Sequence, residues 1–129
     1  MPTAPAIHSN SMKNQAFHRR FGFALQGIMA AWRGEASFRF QTLACAAVLA
    51  VLLWRRPAPL WWALLLTMCA LVLAAELLNT AFESALDTLH PDHHAAIGMA
   101  KDCAAGSVLI LSLASAAVFC AFVVDNFRF

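Results

Sequence analysis

Three apolar runs alternate with short polar segments along this chain. The runs occupy residues 38–54, 60–82 and 106–124. Each is long enough for a helix to cross the hydrocarbon core of a bilayer, and the helical pattern of the second run continues to residue 89. Pro57 and Pro59 favour a turn between the first two runs. The pattern predicts an all-α membrane protein with three transmembrane helices.

An amphipathic segment precedes the first run, over residues 15–32. Its apolar residues recur at helical spacing, at Phe17, Phe21, Leu25, Ile28 and Trp32. This spacing predicts a helix that lies in the membrane interface. Residues 1–14 contain prolines and little to bury, so we expect a disordered tail, followed by one domain over residues 15–129.

A polar face begins inside the second apolar run. Glu76 is the single charged residue within residues 60–78, although a charge at the centre of a membrane helix costs about 2.5–3.5 kcal/mol on insertion scales. At 100° per residue, five polar residues fall on one side of this helix: Glu76, Asn79, Thr80, Glu83 and Asp87. A polar network between helices would use the same residue types. Because two carboxylates a turn or two apart repel each other, we favour a functional site.

Composition agrees with a membrane protein. Hydrophobic residues make up 61% of the 129 residues and charged residues 12%, about half the share found in soluble proteins. The net charge of +2 is too small to indicate a nucleic-acid partner. The four cysteines have no CxxC spacing, which favours small buried residues over disulfides or metal ligands.

The distribution of basic residues favours a cytoplasmic N-terminus. With three crossings, the basic residues on the N-terminal side are Lys13, Arg19, Arg20, Arg33, Arg39 and Lys101, and those on the other side are Arg55, Arg56 and Arg128. Glu35, the end of the second helix, the loop at residues 90–94 and Lys101 then lie at the cytoplasmic surface, where ATP and Mg²⁺ are available. The histidines of the loop are more typical of a solvated segment than of a metal site.

This grouping suits a reaction between a water-soluble anion and a lipid. Glu35 and Glu83 can hold Mg²⁺ against a nucleotide, and Lys101 can neutralise phosphate charge. Glu76 lies about 10 Å nearer the membrane interior than Glu83, at a depth where it can accept a proton from a lipid hydroxyl. The chain has no GxxxxGK[ST] loop and no protein-kinase glycine loop.

Three motifs resemble the small bacterial integral-membrane diacylglycerol kinase family. They are WRGEASFR at residues 32–39, AELLNTAFESALD at residues 75–87 and AKDCAAGSVL at residues 100–109. The resemblance covers about residues 17–124. It implies a homotrimer of three-span subunits in the bacterial inner membrane, with active sites between subunits. It also implies Mg²⁺-dependent transfer of the γ-phosphate of ATP to a lipid hydroxyl.

The resemblance also implies roles for individual residues. Glu76 matches the general base, and Glu35 and Glu83 match metal ligands that also contact the nucleotide. The other nucleotide-binding matches are Asp92, His93, His94, Lys101 and Asp102, with His93 standing where the family usually has an aromatic residue. The residues that match the family's lipid-binding positions are Glu76, Asn79, Arg39 and Ala105.

The motifs are consistent with two lipid substrates, because the family has two branches that phosphorylate different lipids. The best-known diacylglycerol kinases have a glycine-serine step after the lysine-aspartate pair, where this chain has Cys103-Ala104-Ala105-Gly106. That run, with FALQGI at residues 23–28, is more similar to the branch that includes undecaprenol kinases. We expect diacylglycerol, with undecaprenol as the alternative. A non-enzymatic transporter or assembly subunit would account for Glu76 but not for the other charges at one surface.

A reporter that is active only in the periplasm tests the orientation. Fused after Phe129, it should give signal, because three crossings from a cytoplasmic N-terminus place the C-terminus outside. A reporter fused within residues 90–94 is the matched control and should be silent. Signal from the second fusion and none from the first would reverse the topology.

Overall fold

Four helices follow one another in the computed structural model, which describes residues 16–128. They are α1 (Phe17–Gly34), α2 (Ala36–Arg55), α3 (Pro59–Leu89) and α4 (Ala95–Asn126). No strand occurs within this part of the chain. The predicted all-α fold class is confirmed, and the predicted tail at residues 1–14 lies outside the described residues.

Helices α2, α3 and α4 are long and apolar enough to cross a membrane, as the hydropathy pattern predicted. At 1.5 Å per residue, α3 with its 31 residues is about 46 Å long and extends beyond a hydrocarbon core of about 30 Å. Helix α4 begins at Ala95, whereas the predicted span began at residue 106. The difference arises because Lys101 and Asp102 lower the hydropathy of a segment that is still helical.

A single residue, Glu35, separates α1 from α2. Its backbone is extended, its N–H donates to the Ala31 carbonyl at 2.8 Å, and its carbonyl accepts from the Arg39 N–H at 3.2 Å. The Arg39 guanidinium then donates to the carbonyls of Trp32 and Arg33, at 2.9 Å and 3.2 Å. These bonds satisfy carbonyls that the last turn of α1 leaves free. The amphipathic α1 is therefore tied to the start of the first span.

The other two connections are also short. Arg56 adopts a left-handed backbone (φ 47°) that closes α2, and Pro59 occupies the first turn of α3, where its missing N–H costs nothing. The loop at residues 90–94 joins α3 to α4. There His94 Nδ1 accepts from the Ala96 N–H at 3.2 Å and caps α4.

The tightest packing lies at the end of the bundle farthest from this loop. Leu52, Leu65 and Phe122 form a buried cluster that joins α2, α3 and α4. Trp61 Nε1 donates to Asp125 Oδ2 at 2.9 Å, and the Arg55 guanidinium donates to the Asn126 carbonyl. The most extensive helix contact is between α3 and α4. The three spans are thus held together at the end that carries no predicted site residue.

Candidate functional site

Glu76 is the only charged residue buried within residues 16–128, with 4% of its surface exposed. It lies on α3, inside the apolar run. The Ser37 hydroxyl, in the first turn of α2, donates to Glu76 Oε2 at 3.0 Å. No basic side chain within residues 16–128 forms an ion pair with it. A buried carboxylate in this situation is costly, and such groups in membrane helices mark functional sites.

One turn along α3, Asn79 and Glu83 form a second polar pair. Asn79 Nδ2 donates to Glu83 Oε1 at 3.4 Å, which is long for a hydrogen bond. The other side-chain atom, Asn79 Oδ1, is buried and has no hydrogen-bond partner among residues 16–128. Buried acceptors without a partner are rare in proteins. An amide oxygen beside a carboxylate suits a hard cation such as Mg²⁺, so these residues fit the metal that the sequence predicts.

Glu35 is half-buried at the joint between α1 and α2. Within residues 16–128, no three side chains of His, Cys, Asp or Glu come close enough together to hold a metal ion. The structure of one chain therefore does not bring Glu35 into a cluster with Glu83 and Glu76.

The predicted nucleotide residues lie mainly around the loop at residues 90–94. Lys101 on α4 forms an ion pair with Asp87 on α3. Both line a small polar pocket of about 80 Å³ together with Asp92, His93 and His94. Asp102 is exposed and does not line this pocket, and Ala105 is exposed one turn further along α4. Cations and backbone donors around an open pocket can bind phosphate groups.

An apolar groove lies between α1, α2 and α3. It has a volume of about 540 Å³ and is lined by Leu25, Ile28, Met29, Trp32, Phe38, Thr42, Leu73 and Leu77. Thr42 donates its hydroxyl to the Phe38 carbonyl at 2.8 Å, so it offers no free donor to the groove. Leu73 and Leu77 lie three residues before and one residue after Glu76 in the sequence. A hydrocarbon chain fits this environment.

Four predicted residues share one pocket and two form a direct hydrogen bond. The pocket unites Asp92, His93, His94 and Lys101, and the hydrogen bond unites Asn79 and Glu83. Glu35, Arg39, Asp102 and Ala105 make no side-chain contact with them among the described hydrogen bonds and ion pairs.

Sequence reasoning missed Ser37, which contacts the buried carboxylate. Its place between Glu35 and Arg39 in the first motif is a signal that was available, but a serine in a helix does not reveal from sequence which distant side chain it contacts.

Comparison with known proteins gives a family match over most of the chain. A model of the prokaryotic diacylglycerol kinase family matches residues 22–123. Similar proteins include a diacylglycerol kinase of Escherichia coli K12, 29% identical over 106 residues, which are 82% of this chain and 87% of that protein. A Synechocystis diacylglycerol kinase is 40% identical over 100 residues, 76% of this chain and 57% of that protein. An undecaprenol kinase of Bacillus subtilis is 32% identical over 108 residues, 84% of this chain and 86% of that protein.

Proposed function

The chain belongs to the prokaryotic diacylglycerol kinase family, and from this premise we propose that it transfers the γ-phosphate of ATP to diacylglycerol, giving phosphatidic acid. The resemblance drawn from the three motifs is thereby confirmed. Membership makes the chain a lipid kinase, with ATP as co-substrate and with several membrane-spanning helices. Membership in this family favours an enzyme over a transporter or an assembly subunit. The observation that carries the proposal is the family match over residues 22–123, which includes all three motifs.

In this proposal Glu76 is the general base. Its carboxylate accepts the proton of the lipid hydroxyl while the hydroxyl oxygen forms a bond to the γ-phosphorus. The bond from that phosphorus to the bridging oxygen breaks, and ADP leaves. Support comes from the burial of Glu76 on a membrane helix, beside the apolar groove whose wall includes Leu73 and Leu77. The hydrocarbon part of the lipid lies in that groove, and Asn79, Arg39 and Ala105 surround its polar end.

Glu35 and Glu83 hold Mg²⁺ in this proposal, with Asn79 Oδ1 as a further oxygen donor. The bound ion would neutralise charge on the phosphate oxygens. The unpartnered Asn79 oxygen beside Glu83 supports this assignment. Lys101, Asp102, Asp92, His93 and His94 bind the nucleotide. When the nucleotide binds, Lys101 leaves Asp87 and contacts the phosphates, because a charge-assisted bond to phosphate is at least as strong as an exposed ion pair.

The proposed assembly is a homotrimer in the inner membrane, with its sites on the cytoplasmic side between subunits. Its support is that residues 16–128 of one chain bring no three acidic, histidine or cysteine side chains together, while many large apolar side chains on the spans are exposed. ATP reaches the protein from the cytoplasm, which favours this orientation.

Transfer of label from γ-labelled ATP tests the activity and the lipid. Purified protein in mixed micelles with Mg²⁺ should label diacylglycerol, because most of the similar proteins above carry that activity in their names. Undecaprenol is offered in parallel, since the similarity to the Bacillus protein covers 84% of this chain. Label on undecaprenol alone would move the substrate to the second lipid. Label on neither lipid, with folding verified by circular dichroism, would contradict the proposal.

Replacement of the base tests its role. We expect Glu76→Gln to lower kcat about a thousandfold, because general base catalysis contributes roughly 10²–10⁴-fold. Steady-state kinetics with saturating ATP measures this loss. Asp125→Asn is the matched control: it makes the same change in charge at the far end of the bundle and keeps an oxygen for the Trp61 indole, so kcat should stay within about twofold. Normal turnover in Glu76→Gln would remove Glu76 from the mechanism.

Mixing of inactive subunits tests the shared site. Glu35→Gln and Glu76→Gln, each inactive alone, should regain part of the activity when they are unfolded together and refolded into one membrane, because mixed trimers then contain sites with both carboxylates. Each variant refolded with itself is the control. No recovery in the mixture, with mixed oligomers detected by cross-linking of two affinity tags, would mean that both carboxylates of a site come from one chain.

A further inference from the structure

We propose that Ser37 is a positioning residue for the Glu76 carboxylate, and this inference rests on the proposed role of Glu76 as the base. The Ser37 hydroxyl engages one carboxylate oxygen, Oε2, and so leaves Oε1 to take the proton of the lipid hydroxyl. Such an arrangement, in which a third group orients the base, recurs in enzymes that activate a hydroxyl.

The geometry supports this assignment. Ser37 Oγ donates to Glu76 Oε2 at 3.0 Å, across from α2 to α3. No second hydrogen bond reaches this carboxylate from within residues 16–128. A glutamate side chain has three rotatable bonds, so a single hydrogen bond removes much of its freedom. Within residues 16–128, Ser37 is therefore the one polar group that orients this carboxylate.

The location of Ser37 adds a second argument. It is exposed, while the carboxylate it contacts is buried, so the bond lies at the edge of the bundle, where a ligand can approach. It also lies between Glu35, a proposed metal ligand, and Arg39, which holds the end of α1. The bond from Ser37 to Glu76 thus joins the first turn of α2 to the helix that carries the base.

During transfer, Ser37 keeps its own proton. The lipid hydroxyl proton moves to Glu76 Oε1, the lipid oxygen bonds to the γ-phosphorus, and the bond from phosphorus to the ADP oxygen breaks. The serine hydroxyl changes no bond in this step. Its loss should therefore lower the rate of the step without affecting the binding of ATP.

A purely structural role, in which Ser37 only joins two helices, is the competing account. The chain offers a matched control for it. Gln41 Nε2 donates to Ser112 Oγ at 3.0 Å, which is also a hydrogen bond between two spans but one that does not involve a proposed site residue. Ser112→Ala removes the serine of that bond just as Ser37→Ala removes the serine at Glu76.

Steady-state kinetics of the full chain in mixed micelles, with γ-labelled ATP and the lipid that accepts the label, separates the two accounts. We expect Ser37→Ala to lower kcat about tenfold and to leave KM for ATP within about twofold, because a hydrogen bond to a charged group contributes roughly that factor or more. Ser37→Thr, which keeps the hydroxyl, should recover kcat to within about threefold of the original. Ser112→Ala should keep kcat within about twofold even where its melting temperature falls.

The same measurement on a Glu76→Gln background separates this proposal from the one it rests on. There Ser37→Ala should cause no further loss, because its effect passes through the carboxylate. An unchanged kcat in Ser37→Ala, or an equal tenfold loss on the Glu76→Gln background, would overturn the positioning role while Glu76 stays the base. Normal kcat in Glu76→Gln would overturn both. If Ser37→Ala does not fold, Ser37→Val and Ser37→Thr are compared instead, because these two side chains have the same shape and only threonine has the hydroxyl. Equal kcat values for these two variants would overturn the proposal.

Discussion

The burial of one carboxylate within a membrane helix is the constraint on which the rest of this structure depends. Glu76 is nearly inaccessible on a helix that is otherwise apolar at that depth. A charged group in such a place is stable only where neighbouring groups donate to it or where water or a ligand reaches it. The first turn of α2 supplies the donor, Ser37, and so α2 must begin at this height. The Glu35 backbone and the Arg39 guanidinium in turn hold the end of α1 to this first turn of α2.

The two ends of the bundle differ in a way that suits a catalyst. At one end, Leu52, Leu65 and Phe122 pack together, and polar bonds from Arg55 and Trp61 fasten the helix ends. At the other end, polar side chains are half-buried or exposed, and they line open pockets. Packing in membranes comes mainly from close contact and interhelical hydrogen bonds, since lipid is as apolar as leucine. The first end is therefore closely packed, while the second end presents polar groups that a ligand can reach.

Hydropathy predicted the spans because a helix in lipid must be apolar over about the thickness of the bilayer. It did not predict the start of α4, since the helix continues into a segment that contains Lys101 and Asp102. Helical periodicity placed Asn79 and Glu83 on one face, and the structure adds their hydrogen bond. The contact between Ser37 and Glu76 joins residues far apart in the sequence, and no local pattern encodes such a pairing. The ion pair between Lys101 and Asp87 joins two different helices, so no local pattern predicted it either.

The arrangement of carboxylates within one chain bears on the proposed assembly. Glu35 stands on the joint between α1 and α2, whereas Glu83 stands on α3, and within residues 16–128 they do not form a metal cluster with a third acidic or histidine ligand. Half-buried carboxylates with free oxygens repel each other unless cations neutralise them. In the proposed assembly a second subunit would bring its own carboxylates to the site, and Mg²⁺ held by them would remove this repulsion. The absence of a cluster of three such ligands within residues 16–128 of one chain is the physical argument for the proposed oligomer.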